Sequence, residues 1–181
     1  MGDESKLRVI PLKDAPGARE AWSKPAAVVA LWVLVEYLLV TNALQPSSRL
    51  RARALRLFGA KIGRGVTLRP RLRVKFPWNL EVGDDCWIGE GVWIHNQDKV
   101  TIANDVCVSQ ETFITTGSHD FRKDMALVTK PVHIEAGAWV CSRAIITMGS
   151  HIGTSAIIPA GMVVSGQIMP GKIARQRDRF N

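Results

Sequence analysis

From Ile62 onward an aliphatic residue returns at every sixth position, and this spacing constrains the fold more than any other feature of the chain. The run begins Ile62, Leu68, Val74, slips by two residues across the segment PWN, and resumes at Val82, Ile88 and Ile94. It slips by two again, continues through Ile102, Val108 and Ile114, and then stops. It returns at Ile134 and holds through Val140, Ile146, Ile152, Ile158 and Val164. A second track four positions later is mostly small, as at Cys86, Thr112, Ala138, Ala144 and Ala156. A helix with 3.6 residues per turn does not keep such a series on one face. A short strand followed by a tight turn does: the aliphatic residue points inward, and the small one sits where the chain turns a corner. Gly, Asp and Asn tolerate the turn conformations. Three such units close one triangular coil, and stacked coils set like residues above like at about 4.8 Å. One coil cannot bury its core face alone, so several must stack, roughly five here.

At 181 residues the chain is long enough for one domain with a small appendage. The three cysteines, Cys86, Cys107 and Cys141, are odd in number and lack CxxC spacing, so neither a zinc site nor a disulfide framework is expected. A reducing compartment, the cytoplasm, is the expected location. The polar, acid-bearing start MGDESKLRVIPLKDAPG does not read as a signal peptide. The apolar run Pro25 to Leu44 carries Glu36 in its middle, which argues for a buried or interfacial helix rather than a lone membrane span.

The net charge of +8 is concentrated. Ten basic residues fall between Arg49 and Lys75, and no Asp or Glu occurs between Glu36 and Glu81. A field of one sign attracts nucleic acid, anionic lipid or a phosphorylated small molecule, and a solvated face gives the same pattern. Leu50, Ala54, Leu57 and Phe58 recur at helical spacing among Arg49, Arg51, Arg53 and Arg56. Such a basic amphipathic helix either lies at the inner face of the membrane as a peripheral contact or caps the open end of the coils.

The rhythm is interrupted between His119 and Ile134, in the stretch FITTGSHDFRKDMALVTKPVHIE. The 14 residues from Asp120 to His133 fit no coil and read as a loop leaving one corner. A structureless excursion of this length in a compact domain usually has a function. His119 stands at its root. None of the four histidines has another five positions away, so the HxxxxH pairing of a zinc-dependent β-helix is missing and no metal is expected.

Several segments together resemble a known family. LRLFGAKIGRGV leads into PWNLEVGDDCWIGEGVWIHN, then VTIANDVCVSQETFITTGSHD, then KPVHIEAGAWVCSRAIITMG. This order resembles the hexapeptide-repeat acyltransferases, and within them the exopolysaccharide branch, the colanic acid biosynthesis acetyltransferases. The likeness covers about residues 28 to 165. It implies an all-β fold, a left-handed parallel β-helix with N-terminal α-helices and a protruding loop. The handedness comes from the family, because the general rule for parallel crossovers is right-handed. The expected division is residues 1-59 as helices, 60-170 as the catalytic β-helix with its loop at 120-133, and 171-181 as a basic tail.

The resemblance also implies an enzyme: a homotrimer with sites between adjacent prisms, transferring acetyl from acetyl-CoA to a saccharide or lipid-linked sugar acceptor, without nucleic acid. TTGSHD matches the family's placement of a general base, which makes His119 the expected catalytic residue. A sugar hydroxyl is a poor nucleophile, and a histidine, titrating at about 6.5 when unperturbed, is suited to take its proton. AWVCS places Trp139 and Ser142 near the thioester arm, and IPAG places Ala160 and Gly161 along the pantetheine. The end departs from the family: MPGKIARQRDRFN stands where relatives have Gly-Asn-Pro-Ala, and Gly166 stands where they often have Lys. Lys172, Arg175, Arg177 and Arg179 would replace that charge on the coenzyme phosphates. Asn96 and Asp98 are the expected contacts to acceptor hydroxyls. The competing reading is a non-catalytic scaffold holding membrane or nucleic acid, which the fold alone permits. The co-occurrence of TGSHD, the loop and AWVCS argues against it.

Overall fold

A computed structural model of the chain describes residues 10–17 and 22–175. The six-residue rhythm becomes fifteen short parallel strands in five coils. The first coil is β1 (Lys61–Ile62), β2 (Thr67–Leu68) and β3 (Arg73–Val74), and the second is β4 (Leu80–Val82), β5 (Trp87–Ile88) and β6 (Trp93–His95). The third is β7 (Val100–Ile102), β8 (Cys107–Val108) and β9 (Phe113–Thr115). A hairpin follows, β10 (Gly117–His119) and β11 (Leu127–Thr129). The fourth coil is β12 (Val132–Ile134), β13 (Trp139–Val140) and β14 (Ile145–Ile146), and the fifth is β15 (His151–Ile152), β16 (Ile157–Ile158) and β17 (Val163–Val164). β18 (Gln167–Ile168) begins a sixth.

The coils stack into three faces. The first runs β1-β4-β7-β12-β15-β18, the second β2-β5-β8-β13-β16 and the third β3-β6-β9-β14-β17. Register sets the aliphatic track one above another, for instance Ile94 on Ile114 and Ile114 on Ile146. All of that track is buried, and so is most of the small one; Ser118 is exposed because it lies in the hairpin. Both tracks therefore point into the prism. The strand tryptophans Trp87, Trp93 and Trp139 alternate with them and point out: Trp87 is 65% and Trp139 48% exposed.

Two of the three corners are regular. Between the first and second faces, Gly65, Asp85, Asp105, Gly137, Ser155 and Gly171 all have positive φ and stack as a ladder. Between the second and third faces Arg71, Gly91, Glu111, Arg143 and Gly161 do the same. The third corner is irregular. Both two-residue slips lie there, as the 3-10 turn Pro77–Asn79 in the first coil and residues 96–99 in the second. The interruption lies there too, directly above them in the third coil. It is not a structureless loop over 120–133. It is an antiparallel hairpin, pairing Gly117 with Thr129 and His119 with Leu127, and the coil has already resumed at Val132, paired with Val100.

The N-terminal segment closes the open end of the prism. The first coil leaves unpaired backbone groups along β1, β2 and β3, an edge that would otherwise invite association. Helix α1 (Ala26–Val35) continues as a wider π-turn over Glu36–Val40. Trp32 Nε1 donates to the Val74 carbonyl at 2.9 Å, and Glu36 Oε1 accepts from the Val74 N–H at 2.6 Å. Thr41 Oγ1 donates to the Leu72 carbonyl at 3.1 Å. From helix α2 (Ser48–Leu57), Ser48 Oγ accepts from Leu68 N–H at 2.8 Å and Arg51 Nη1 donates to the Leu68 carbonyl. Arg56 donates to the carbonyls of Ile62 and Gly63. Capping is thus the first role of this segment. The expected stripe of Leu50, Ala54, Leu57 and Phe58 is not the buried one: α2 buries Arg51, Ala52, Ala54 and Leu55, and Leu57 is 82% exposed. The rotation puts arginine donors over edge carbonyls, where a leucine would leave them unsatisfied.

Candidate active site

His119 ends β10 on the irregular corner, exposed to solvent. Its Nδ1 lies 2.7 Å from the Met125 carbonyl. A carbonyl only accepts, so Nδ1 is the donor, and in the neutral imidazole the lone pair lies on Nε2. The hairpin tip is built to hold that carbonyl. Met125 has φ +61, Asp120 accepts from Met125 N–H through its backbone oxygen at 2.9 Å, and Asp120 N–H donates to Ala126. Asp124 Oδ1 accepts from the Ala126 N–H at 3.0 Å. The root is equally tied: Thr116 N–H donates to His95, Lys130 N–H to Thr116, and Asp98 N–H to Thr116 Oγ1 at 2.8 Å. A Cβ at Gly117 would lie 2.1 Å from Gln97 Oε1, so glycine lets the strand leave the corner close to the coil below.

Asn96 is placed differently from expectation. It is fully buried, its Oδ1 accepts from the Phe76 N–H at 3.0 Å and its Nδ2 donates to the Phe76 carbonyl at 2.7 Å. Both ends of the amide are spent joining the two slipped turns, so it holds the corner and leaves nothing for an acceptor. Asp98 is half-buried, and its Oδ1 accepts from Lys99 N–H at 2.6 Å.

The coenzyme candidates sit elsewhere. Trp139 stands on the outer second face between Cys107 and Ile157, its Nε1 donating to Ser109 Oγ at 3.0 Å. Ser142, Ala160 and Gly161 follow on the regular corner between the second and third faces, with Gly161 N–H on the Ser142 carbonyl at 2.9 Å. A Cβ at Gly161 would meet nothing within 4 Å, so this corner is open. Ile173 bridges Ile157, which puts Arg175 above Pro159 at the same corner, whereas Lys172 lies at the other edge of that face. Residues 171–174 are therefore part of the coil; Arg177 and Arg179 lie outside the described residues. Cys107 and Cys141 are free thiols, and burial, with Cys107 nearby, pushes the Cys141 thiol up. Among the described residues no three His, Cys, Asp or Glu side chains gather to hold a metal.

His119 and the Ser142–Ala160 corner thus belong to two different corners of one prism. The third face lies between them, roughly 15 Å wide at the ~3.3 Å rise of an extended residue. That face carries a feature the sequence pattern did not single out. Its outward residues Arg73, Lys75, Trp93 and His95 meet α1 to form a groove of about 650 Å³. The Arg73 guanidinium lies 3.8 Å over the Trp93 ring, and Trp93 packs edge-on to His95. Burial, then Lys75 and Arg73, hold the His95 imidazole below its usual range, so it stays neutral at neutral pH. The only signal in the sequence is the alternation Arg73/Lys75 and Trp93/His95 at spacing two.

No family model matches the chain. A curated relative, "Putative colanic acid biosynthesis acetyltransferase WcaF" of Escherichia coli, is 31% identical over 163 residues, covering 84% of this chain and 88% of that protein. Among solved structures, a hexapeptide-repeat acetyltransferase of Vibrio cholerae complexed with acetyl coenzyme A superposes with TM-score 0.72, at 23% identity, over 80% of this chain and 79% of that one. A maltose O-acetyltransferase of Clostridium difficile gives 0.73, at 22% identity and 81% of each chain. These two likenesses speak for the fold, and the curated relative speaks for descent: the chain belongs to the hexapeptide-repeat acetyltransferases.

Proposed function

We propose that the chain is an O-acetyltransferase that moves the acetyl group of acetyl-CoA onto a hydroxyl of a saccharide in surface polysaccharide synthesis, working as a homotrimer. The observation that carries this reading is the His119–Met125 hydrogen bond, which fixes the tautomer with Nε2 free to act as a base. His119 Nε2 takes the acceptor hydroxyl proton as that oxygen attacks the thioester carbonyl. Backbone N–H groups stabilise the oxyanion. As the C–S bond breaks, the imidazolium returns the proton to the departing sulfur, leaving the acetyl ester and free coenzyme A. Transfer is direct, since the Cys141 thiol is pushed up rather than activated.

The separation of the two corners supports the trimer. Base and coenzyme corner cannot meet within one prism, so the hairpin of one chain closes over the Trp139, Ser142, Ala160 and Gly161 of its neighbour. Arg175, at the same corner, is the residue assigned to the coenzyme phosphates in this reading. The groove of Arg73, Lys75, Trp93 and His95, between α1 and the face below the hairpin, receives the sugar.

The test is thiol release from acetyl-CoA with a panel of free, nucleotide-linked and lipid-linked sugars. With the correct acceptor, His119→Ala should slow turnover by about 10²- to 10⁴-fold. His119→Asn should not recover it, because an amide cannot take the proton, and the neutral limb of the pH–rate profile that a histidine base gives should vanish. Both variants within a few-fold of wild type would remove His119 from the chemistry.

A further inference from the structure

The end of the prism closed by α1 and α2 is apolar on its outside as well. The inner faces of both helices are bonded to the edge strands through Trp32, Glu36, Ser48 and Arg51, so their opposite faces point away from the coils. On the outer face of α1 and its π-turn Leu31, Leu34, Tyr37 and Leu38 are 54%, 54%, 72% and 48% exposed, and Leu44 in the connection and Leu57 on α2 are 92% and 82% exposed. So many large apolar side chains left exposed on one pair of capping helices mark an interaction site. Its charge has one sign. Glu36 is the only acid between residues 21 and 80 and is turned inward, while Arg49 and Arg53 stand exposed on α2. The ion pairs of the described residues use neither arginine.

We propose that this end plate docks the enzyme on an anionic membrane surface, with the leucines and Tyr37 entering the headgroup boundary and Arg49 and Arg53 meeting lipid phosphates. Charge decides the occupant. A second copy docked end to end would set arginine against arginine, and like charges across an interface are unfavourable. An anionic bilayer satisfies both the apolar and the basic half of the plate. The plate lies on the surface rather than crossing it. Ala26–Val40 spans about 20 Å, short of the ~30 Å hydrocarbon core, and Trp32 and Glu36 bind it to Val74. No helix among the described residues is long and apolar enough to cross a membrane. In a ring of parallel prisms all three plates would face the same way, so weak single contacts would add.

The experiment is sedimentation of the full-length protein with phosphatidylcholine vesicles and with vesicles containing phosphatidylglycerol. Parallel measurements follow thermal melting, light scattering and acetyl transfer to a soluble acceptor. Wild type should partition at least about tenfold more to the anionic vesicles, less so at high salt. Leu34→Glu with Leu38→Glu should abolish binding, and Arg49→Glu with Arg53→Glu should abolish the preference for anionic lipid. Both pairs should keep the melting temperature and the activity in solution, because none of these side chains enters the core or the groove. Wild type that ignores both vesicles, or binds them equally, overturns the proposal. So does a concentration-dependent larger assembly that the leucine pair dissolves, which would assign the face to a second copy. The docking stands apart from the chemistry, since vesicle binding is read without turnover.

Discussion

A site shared between two chains can be tested by complementation. Let one chain carry His119→Ala, which removes the base on the irregular corner, and another carry Ala160→Trp, which fills the open corner beside Ser142 with a ring. Alone, each forms trimers without a complete site, the first slowed by about 10²- to 10⁴-fold. Co-expressed with two different tags and purified through both, they give only mixed trimers. In a ring with head-to-tail interfaces, each mixed trimer of either composition has one junction where an intact hairpin faces an intact corner. Mixed trimers should therefore recover about one third of the wild-type activity. If the site lay within one prism, every chain would hold one broken half and recovery would be nil. Mixed trimers no more active than either parent, with mass and melting temperature matching wild type, would refute the two-corner site.

Three further outcomes follow from the geometry. Glu36→Leu strips the acceptor from the Val74 N–H and should cost about 1–3 kcal/mol, a fall in melting temperature of roughly 2–4 °C for each kcal/mol; Glu36→Gln should keep most of it. Burial raises the Glu36 carboxyl despite the opposing Val74 N–H, so the folded chain holds this proton more tightly than the unfolded one. Its contribution is fully present below the ordinary carboxylate range and lost as pH rises through the raised value, and Glu36→Gln should flatten that slope in urea unfolding. Asn96→Ala orphans the Phe76 N–H, while the Phe76 carbonyl keeps the Asn79 N–H, and should destabilise by about 1–3 kcal/mol, seen in the urea midpoint. Trp93→Ala should raise the acceptor KM several-fold while leaving that for acetyl-CoA unchanged, and equal effects on both would move the sugar out of the groove.

The prism was legible because its inner track is a statement about volume: only a coil of three equal sides brings an aliphatic residue inward every sixth position. The hairpin's form was not legible. Gly117–His119 and Leu127–Thr129 carry no alternation of apolar and polar residues, since neither strand has a buried face to supply one. The caps were hidden for a related reason. Arg51 and Glu36 read as surface charges, yet the open edge of a β-helix needs donors and acceptors, and a buried arginine or carboxyl supplies them where a leucine cannot. Asn96 misled in the same way, its amide being spent on the backbone of Phe76 in the coil below.

The break in the rhythm carries the candidate base His119, and the structure explains why it falls where it does. Two corners are fixed by ladders of left-handed residues stacked coil on coil, so an insertion there would have to disrupt every rung. The third corner has no left-handed residue in its first two coils, where the slips at Pro77–Asn79 and 96–99 have already loosened the repeat. Asn79 and Asn96 tie those two turns together through side chains instead of strand pairing. The hairpin rises from this platform, and Thr116 hands its root to Asp98 and His95 below. A repeat protein accommodates an excursion most cheaply where its repeat is already irregular and already held by side chains. The regular corner between the second and third faces keeps its ladder to the last coil, where it ends at Gly161 with nothing within 4 Å of a Cβ built there.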